Sequence, residues 1–600
     1  MQQTIRIMQT SRTLTAEQER MISCTKLSRV ALAGPGSGKT TTIVELVSRL
    51  SPDEAKKTAL LTFTRAGAGE IKRRLPPGTQ LMFSGTTHAY GLCLLNREGT
   101  RIGLRQKLQV IDEDSEADTL NDAIHELSYK GELDLVKKEI ERNPKAFKFD
   151  RPLAREDAYR VALLYHQKLF EGGQLDFDSI LTYTVALLRS GKASWRPELL
   201  IVDEAQDSAE IEWDIYRLIK APRIVFCGDV DQSIYEWRGA SPADLLDLTK
   251  HPETGLHLLT LNHRSGPELC KAATSLISNN RDRHNKPVVS VRQPEGREIH
   301  EVALDDRTKE MQYVLQWVRE RSDKDVAVLC RWNDGRKEIK DMLEKAGLKV
   351  QGTAERPKRL SEAIAYASAC GDPANDQLVF HAIRTKRGKK TATLIKQQAR
   401  AQARPIAGLL QDEPIPFFPR GWCKVQGLSV NVTTTGPAAL AAFLIATHHL
   451  SDFGQDVADL ARKVLQLATD TTDLAEFAMM LREEIDAQKE QGIWVSTVHR
   501  AKGLEWDYVL LPFWTQGLFP RKNPTEEDRR TAFVALTRAK LEAYITWTRS
   551  TPMWGDVRAT TRSQFIREMN VPVNPTGEKP TPVTASPVPT VVEKGPDDEF

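Results

Sequence analysis

The sequence predicts an α/β protein built on parallel strands, and three stretches predict it. Residues 30–33 read Val-Ala-Leu-Ala, residues 199–202 read Leu-Leu-Ile-Val, and residues 223–227 read Arg-Ile-Val-Phe-Cys. Short apolar runs of this kind are typical of strands buried on both faces. The first runs into a glycine-rich loop and then a helix, the second into a cluster of acids, the third into a Gly-Asp loop.

The glycine loop is Gly34-Pro35-Gly36-Ser37-Gly38-Lys39-Thr40, followed by the apolar-periodic stretch Thr41–Val47. Strand, glycine loop, Gly-Lys-Thr and helix together are the context of a phosphate-binding loop. Glycines let backbone amides converge on phosphate oxygens without side-chain clash, and the helix N-terminus adds a favourable dipole. Ala33 stands where a glycine is usual, and a small residue serves there as well. Lys39 is expected to neutralise β/γ-phosphates and Thr40 to ligate Mg²⁺, with Thr41 completing the set. The loop therefore predicts a nucleoside triphosphate, ATP above all.

The second run ends in Asp203-Glu204-Ala205-Gln206-Asp207. Asp203, at a strand tip beside a phosphate loop, is placed to hold Mg²⁺ directly or through water, and Glu204 to polarise an attacking water. The third run leads into Gly228–Ala240, where Tyr235 and Trp237 stand between polar residues. Aromatics so placed either plug a local core or offer ring faces to bases; the residues themselves leave both open.

Bulk properties bound the rest. At 600 residues the chain has room for about four domains of ~150 residues. No stretch approaches the ~18 consecutive apolar residues of a membrane helix, and Met1–Arg12 shows no signal-peptide pattern. The seven cysteines are scattered with no CxxC pair, against zinc, an iron–sulfur cluster or a disulfide framework, and point to a reduced cytoplasmic chain. Net charge is only +3, so any nucleic-acid binding must come from local patches and stacking surfaces.

At Gly228–Ala240, GDVDQSIYEWRGA, the sequence resembles the third motif of the Rep/UvrD/PcrA family of superfamily-1 DNA helicases. Further blocks resemble that family in its order: Leu14–Gln18, Leu60–Glu70, Gly85–His88, Leu175–Asp178, Leu261–Ser265, Val495–Glu505 and Arg529–Ala539. The resemblance spans roughly residues 14–566. It implies that Gln18 reads adenine and that Gln232 senses the γ-phosphate. It also implies that Arg264 and Arg538 approach that phosphate from a second motor domain, and that Glu505 contacts the ribose or phosphates. The arginine roles have independent logic, because phosphoryl transfer spreads negative charge over oxygens that guanidinium forks match. Phe63, Thr64, Arg65, Thr87, His88, Tyr235, Trp237, His499 and Trp554 would line a single-stranded DNA track. His263 stands where the family usually carries an adenine-stacking tyrosine, Thr87 where it often has phenylalanine, and residues 65–67 also depart from its pattern. The smaller imidazole of His263 is expected to weaken nucleotide binding.

The resemblance implies two RecA-like P-loop domains with parallel sheets, each interrupted by a mainly helical insertion. The first would hold residues 1–90 and 195–264, with an insertion at 91–194. The second would hold 265–355 and 485–569, with an insertion at 356–484 that is short for the family. Within that insertion, Arg384, Lys386, Arg387, Lys389, Lys390, Lys396, Arg400 and Arg404 form a run without acids, either a solvated face or a duplex-phosphate contact. The Pro/Thr/Val-rich residues 570–600 read as a disordered tail. Its acidic end resembles the partner-recruiting tails of single-strand-binding proteins, or is simply solubilising. The implied activity is an ATP-dependent, 3′–5′ DNA helicase acting at single-strand/double-strand junctions in a bacterial or phage-infected cell. The alternative is a single-strand translocase with little unwinding of its own. A fused nuclease has little sequence left to occupy, and intact Lys39, Asp203, Glu204, Gln232, Arg264 and Arg538 argue against an inert motor. RNA is the less favoured strand, though no residue visibly reads or rejects a 2′-hydroxyl.

Overall fold

The computed structural model describes residues 14–106, 108–111, 113–142, 156–294, 296–351, 424–425, 428–429, 493–553 and 556–570. Two six-stranded sheets organise them, each parallel throughout and flanked by helices, as in two RecA-like P-loop domains. The first runs in the order 83–85, 58–61, 199–202, 223–228, 28–33, 254–259, and the second 299–304, 539–548, 506–511, 326–330, 493–497, 350–351.

The strands are apolar on both sides because both sheet faces are covered. In the first sheet Val30, Leu32, Leu61, Leu200 and Phe226 pack into one core, while Ala31, Leu60, Ile201 and Val225 pack into another across the sheet. In the second, Ala327, Leu329, Val509 and Ile545 face one core and Val326, Val328, Val495 and Leu510 the opposite one. Side chains alternate across a strand, so each short run feeds two layers of helices.

Core membership sharpens the expected insertion at 91–194. Helices Thr87–Glu98 and Phe177–Arg189 bury Leu94, Leu95, Leu181, Leu187 and Leu188 in the same core as the first sheet. A separate small core, formed by Ile111, Leu120, Ala123, Val136, Val161, Tyr165 and Leu169, belongs to helices Glu113–Glu126, Leu133–Arg142 and Glu156–Gly172. The helical lobe with its own core is thus narrower than the interval between motifs. Asp176 fastens the return to the sheet: it caps helix Phe177–Arg189 through Ser179 N at 2.7 Å and accepts from Tyr165 Oη at 2.7 Å. The basic run at 384–404, nearly all of the second insertion, Trp554 and the tail lie outside the described residues. Among the described residues no helix is long and apolar enough to cross a membrane.

Candidate nucleotide and DNA site

Strand Ser28–Ala33 delivers the glycine loop to the C-terminal edge of the first sheet, and helix Lys39–Ser48 leaves from it. Gly36 and Gly38 take φ of 65° and 76°, a left-handed backbone that favours glycine. Close approach reinforces the choice. A Cβ on Gly36 would lie 2.7 Å from Arg264 Cβ, and one on Gly38 would lie 2.5 Å from Gln18 Nε2. The residues that press on the loop come from two of the matched blocks. Asn262 Nδ2 donates to Pro35 O at 2.7 Å, and the exposed His263 donates its backbone N–H to Gly36 O at 2.9 Å.

Gln18 is almost fully buried, and its amide is engaged within the protein. Its Nε2 donates to Ser37 O at 3.1 Å and its Oε1 accepts from Thr15 N at 2.9 Å, closing a capping box on helix Ala16–Ile22. Bracing the phosphate loop is therefore a structural task of this residue, which the sequence reading did not foresee.

Lys39 Nζ bridges Asp203 Oδ1, at 3.2 Å, and Glu204 Oε1. Burial disfavours the Lys39 charge, yet the two carboxylates raise its pKa above the ordinary lysine value. Burial raises Asp203, with Lys39 opposing. Burial also acts on Glu204, but Lys39 and then Lys502 outweigh it and bring Glu204 down to about 2. Glu204 sits at φ 55°, a left-handed position unusual for a residue with a side chain. Gln206, completely buried, holds it there: Nε2 donates to Glu204 Oε2 at 2.7 Å while Oε1 accepts from Asp229 N at 2.9 Å. Gln206 thus joins the acidic strand end to the Gly228–Ala240 loop.

The two sheets meet over this loop. Gln232 Nε2 donates to Asp229 Oδ2 at 2.6 Å, and Gln232 Oε1 accepts from Arg538 Nη2 at 3.1 Å. Burial, followed by the charge of Arg264, lowers Arg538 to about 9, so it remains a cation at neutral pH. Arg264 pairs with Glu505 at 2.5 Å and donates to Thr537 O at 3.2 Å. Lys502 reaches across to Asp207 Oδ2 and to Gln232 O, each at 2.5 Å.

The aromatic residues of the loop border this charge cluster: Lys502 Nζ lies 5.2 Å from the centre of the Tyr235 ring. Tyr235 packs on Phe63 with centroids 4.9 Å apart and donates its hydroxyl to His499 O at 3.1 Å. Trp237 is 70% exposed, with the Arg238 guanidinium 5.8 Å from its ring centre. His88 stacks on Phe177 at 3.9 Å, and the Phe177 ring is itself about half exposed. Burial, with Arg238 adding, lowers His88 to about 4; burial, with Arg331 and Lys502 adding, does the same to His499. Both rings are therefore neutral aromatic surfaces near pH 7.

Thr87 departs from the expected track. It is 3% exposed, and its hydroxyl bonds Tyr216 Oη at 2.9 Å. Thr87 opens a helix whose inner face packs on the core, and a short hydroxyl side chain there turns inward. Thr64 is exposed, but its oxygen caps helix Arg65–Arg74 through Gly67 N at 3.0 Å. The side chain of Arg65 lies outside the described residues. The sequence reading missed Gln206, Asp207, Lys502 and Phe177, although all four lie in stretches it singled out. Phe177, an aromatic between two acids, was the most legible of them.

Ser37 Oγ is buried with no partner in a loop shaped by two left-handed glycines, beside one lysine and two carboxylates. That donor set fits a triphosphate with a divalent cation. Phosphate chemistry shared between two parallel-sheet domains marks the class: a two-domain P-loop motor ATPase. Residues 14–253 match the UvrD/REP helicase N-terminal domain, and residues 257–357 and 445–550 match the UvrD-like helicase C-terminal domain. The chain belongs to the UvrD/PcrA-like superfamily-1 helicases.

Its relatives include the ATP-dependent DNA helicase PcrA of Bacillus subtilis (strain 168), 24% identical over 92% of this chain and 85% of that protein. PcrA of Leuconostoc citreum is 24% identical over 92% and 84%, and PcrA of Staphylococcus aureus (strain Mu50 / ATCC 700699) 23% over 93% and 86%. Membership carries ATP-dependent motor activity on DNA, and P-loop domains of this family bind ATP with Mg²⁺.

Proposed function

We propose that the chain is a DNA-stimulated ATPase that moves 3′ to 5′ along single-stranded DNA and separates duplex at single-strand/double-strand junctions. The observation that carries this reading is the Gly228–Ala240 loop. Its Gln232 bonds Arg538 of the second domain, and three and five residues later come Tyr235, packed on Phe63, and the exposed ring of Trp237. One short segment therefore ties a phosphate-reading amide to base-stacking rings, so a change at the fuel site moves the rings.

The residues divide the work as follows. The amides of Gly34–Thr40 and Lys39 bind the β/γ-phosphates, while Gln18 braces the loop and His263 flanks the base. Asp203 and Thr40 would hold Mg²⁺, which when bound would neutralise phosphate charge. Glu204, ionised and fixed by Gln206, orients the attacking water. Arg264 and Arg538 stabilise charge on the transferred phosphoryl group, a contribution worth roughly 10³–10⁵ in rate for such arginines. Phe63, Tyr235, Trp237, His88 and Phe177 supply ring faces for bases at about 1–3 kcal/mol each, independent of sequence.

A second reading, translocation with little unwinding, is favoured by residues 358–444, which fall outside both family matches. Strand displacement on 3′-tailed and 5′-tailed duplexes, run beside DNA-stimulated ATP hydrolysis, separates the two. Lys39→Ala and Glu204→Gln serve as inactive controls. Displacement of the 3′-tailed substrate supports the helicase, and hydrolysis without displacement supports the translocase. Hydrolysis indifferent to DNA overturns both.

A further inference from the structure

On the motor reading above, Lys286 has a task of its own. Lys286 lies in the loop between helix Pro267–Ile277 and strand Val289–Ser290, in the second domain's half of the chain. Its side chain is wholly buried, which for a lysine demands strong partners. It has two. Nζ lies 2.6 Å from Asp229 Oδ1 and 2.6 Å from Asp231 Oδ2, both carboxylates of the phosphate-sensor loop of the first domain. Arg283, from the same loop as Lys286, takes Asp231 in a two-pronged grip with both contacts at 3.0 Å. Two cations of one domain thus neutralise two anions of the other, out of water.

The bonds continue to the site. Lys286 holds one oxygen of Asp229, and the other oxygen accepts from Gln232 Nε2 at 2.6 Å. Arg538 can only donate, and the bond from Nε2 to Asp229 turns the Gln232 amide so that its oxygen faces that guanidinium. The loop that carries Lys286 is itself pinned to the helix that precedes Arg538. Glu526 accepts from Arg281 N at 2.7 Å and from Asp282 N at 3.2 Å, and Arg529 donates to Asn280 Oδ1 at 2.7 Å. The circuit Arg538–Gln232–Asp229–Lys286–loop–helix–Arg538 is closed. Both ends of the Gln232 amide are therefore set by the second domain, one directly through Arg538 and one through Lys286.

We propose that Lys286, supported by Arg283, is a positioning residue for the phosphate sensor: it fixes Asp229 so that Gln232 presents its oxygen to Arg538, and it makes the sensor loop travel with the second domain. Lys286 touches neither nucleotide nor DNA in this scheme. Its loss should lower turnover while leaving ATP capture by the phosphate loop nearly intact.

The test compares full-length wild type, Lys286→Met, Lys286→Arg and the double variant Asp229→Asn/Lys286→Met. Each is read by ATP-hydrolysis kcat and KM with saturating oligo-dT and without it, with thermal unfolding alongside. The double variant removes the anion together with its cation, so it buries no unpaired charge and keeps the test open if Lys286→Met fails to fold. Expected are a kcat lowered about tenfold or more in every folded variant that lacks the lysine, a KM for ATP within about threefold, and partial recovery in Lys286→Arg. A folded Lys286→Met or double variant with kcat within about twofold of wild type overturns the proposal. So does a loss that appears in KM alone. A wild-type chain whose hydrolysis ignores DNA refutes the motor reading instead, an outcome visible before any variant is compared.

Discussion

Replacing Lys502 with methionine should make the stability of this protein depend on pH in a way that can be worked out in advance. Asp207 is almost completely buried, and Lys502 Nζ at 2.5 Å is its cation. Burial raises the Asp207 carboxyl to about 6 from an unfolded value of 3.8, with Lys502 the main opposing influence. The folded wild type therefore binds a proton more readily than the unfolded chain, and this group costs stability as pH rises from 3.8 to about 6 and no more beyond. Without Lys502 the folded pKa climbs further, so the loss continues above pH 6. Each pH unit in that window adds about 1.4 kcal/mol to the gap between variant and wild type. From pH 6 to pH 8 the gap should widen by up to about 2.7 kcal/mol, somewhat less than the ~3–5 kcal/mol expected for breaking a buried pair. Urea unfolding of both proteins at pH 6, 7 and 8, followed through the first transition, measures it. Asp207→Asn/Lys502→Met should show no such widening. A gap that stays constant across this range would falsify the assignment of Asp207 as the titrating group.

Other perturbations have equally definite outcomes. Trp237→Ala should weaken oligo-dT binding by about 1–3 kcal/mol, roughly 5- to 150-fold in Kd by fluorescence anisotropy. Its unfolding midpoint should hardly move, because the ring is 70% exposed; unchanged affinity would remove Trp237 from the track. Thr87→Ala should do the opposite. DNA affinity stays put while about 1 kcal/mol of stability goes with the Tyr216 hydrogen bond, and a marked loss of affinity would restore Thr87 to the DNA surface. Gly38→Ala forces a side chain to φ 76° and puts its Cβ 2.5 Å from Gln18 Nε2. The backbone alone costs about 1–2 kcal/mol, so nucleotide affinity and melting point should both fall, and adding Gln18→Ala should recover part of the melting point. His263→Tyr should tighten ATP binding in a direct titration; equal or weaker binding would dismiss the imidazole as the cause of any low affinity.

Much of the site could be read before any coordinates. Lys39, Asp203 and Glu204 meet in the fold because the glycine loop and the acids each follow an apolar run, and parallel strands bring such ends to one edge of the sheet. That pattern is local: a few residues of strand, a glycine turn and a helix start. Resemblance across the ordered blocks then extended it to a second sheet, from which Arg538 approaches Gln232.

What the sequence could not determine is which side chains are spent on the protein itself. Thr87 and His88 are neighbours in one block, yet one hydroxyl turns into the core and one ring stacks on Phe177, because successive residues of a helix face different directions. Gln18 is consumed by a capping box and the phosphate loop, a matter of distances between segments remote in sequence. Lys286, Arg283 and Lys502 look like ordinary surface cations when read along the chain, as most lysines and arginines are. Only the docking of one sheet against the other takes them out of water, and once buried each must find the carboxylate that the other domain supplies. The sequence by itself thus determined the chemistry at the strand ends, a property of short segments. The tertiary structure alone decided how the two halves grip each other, because burial and charge pairing exist only after both have folded.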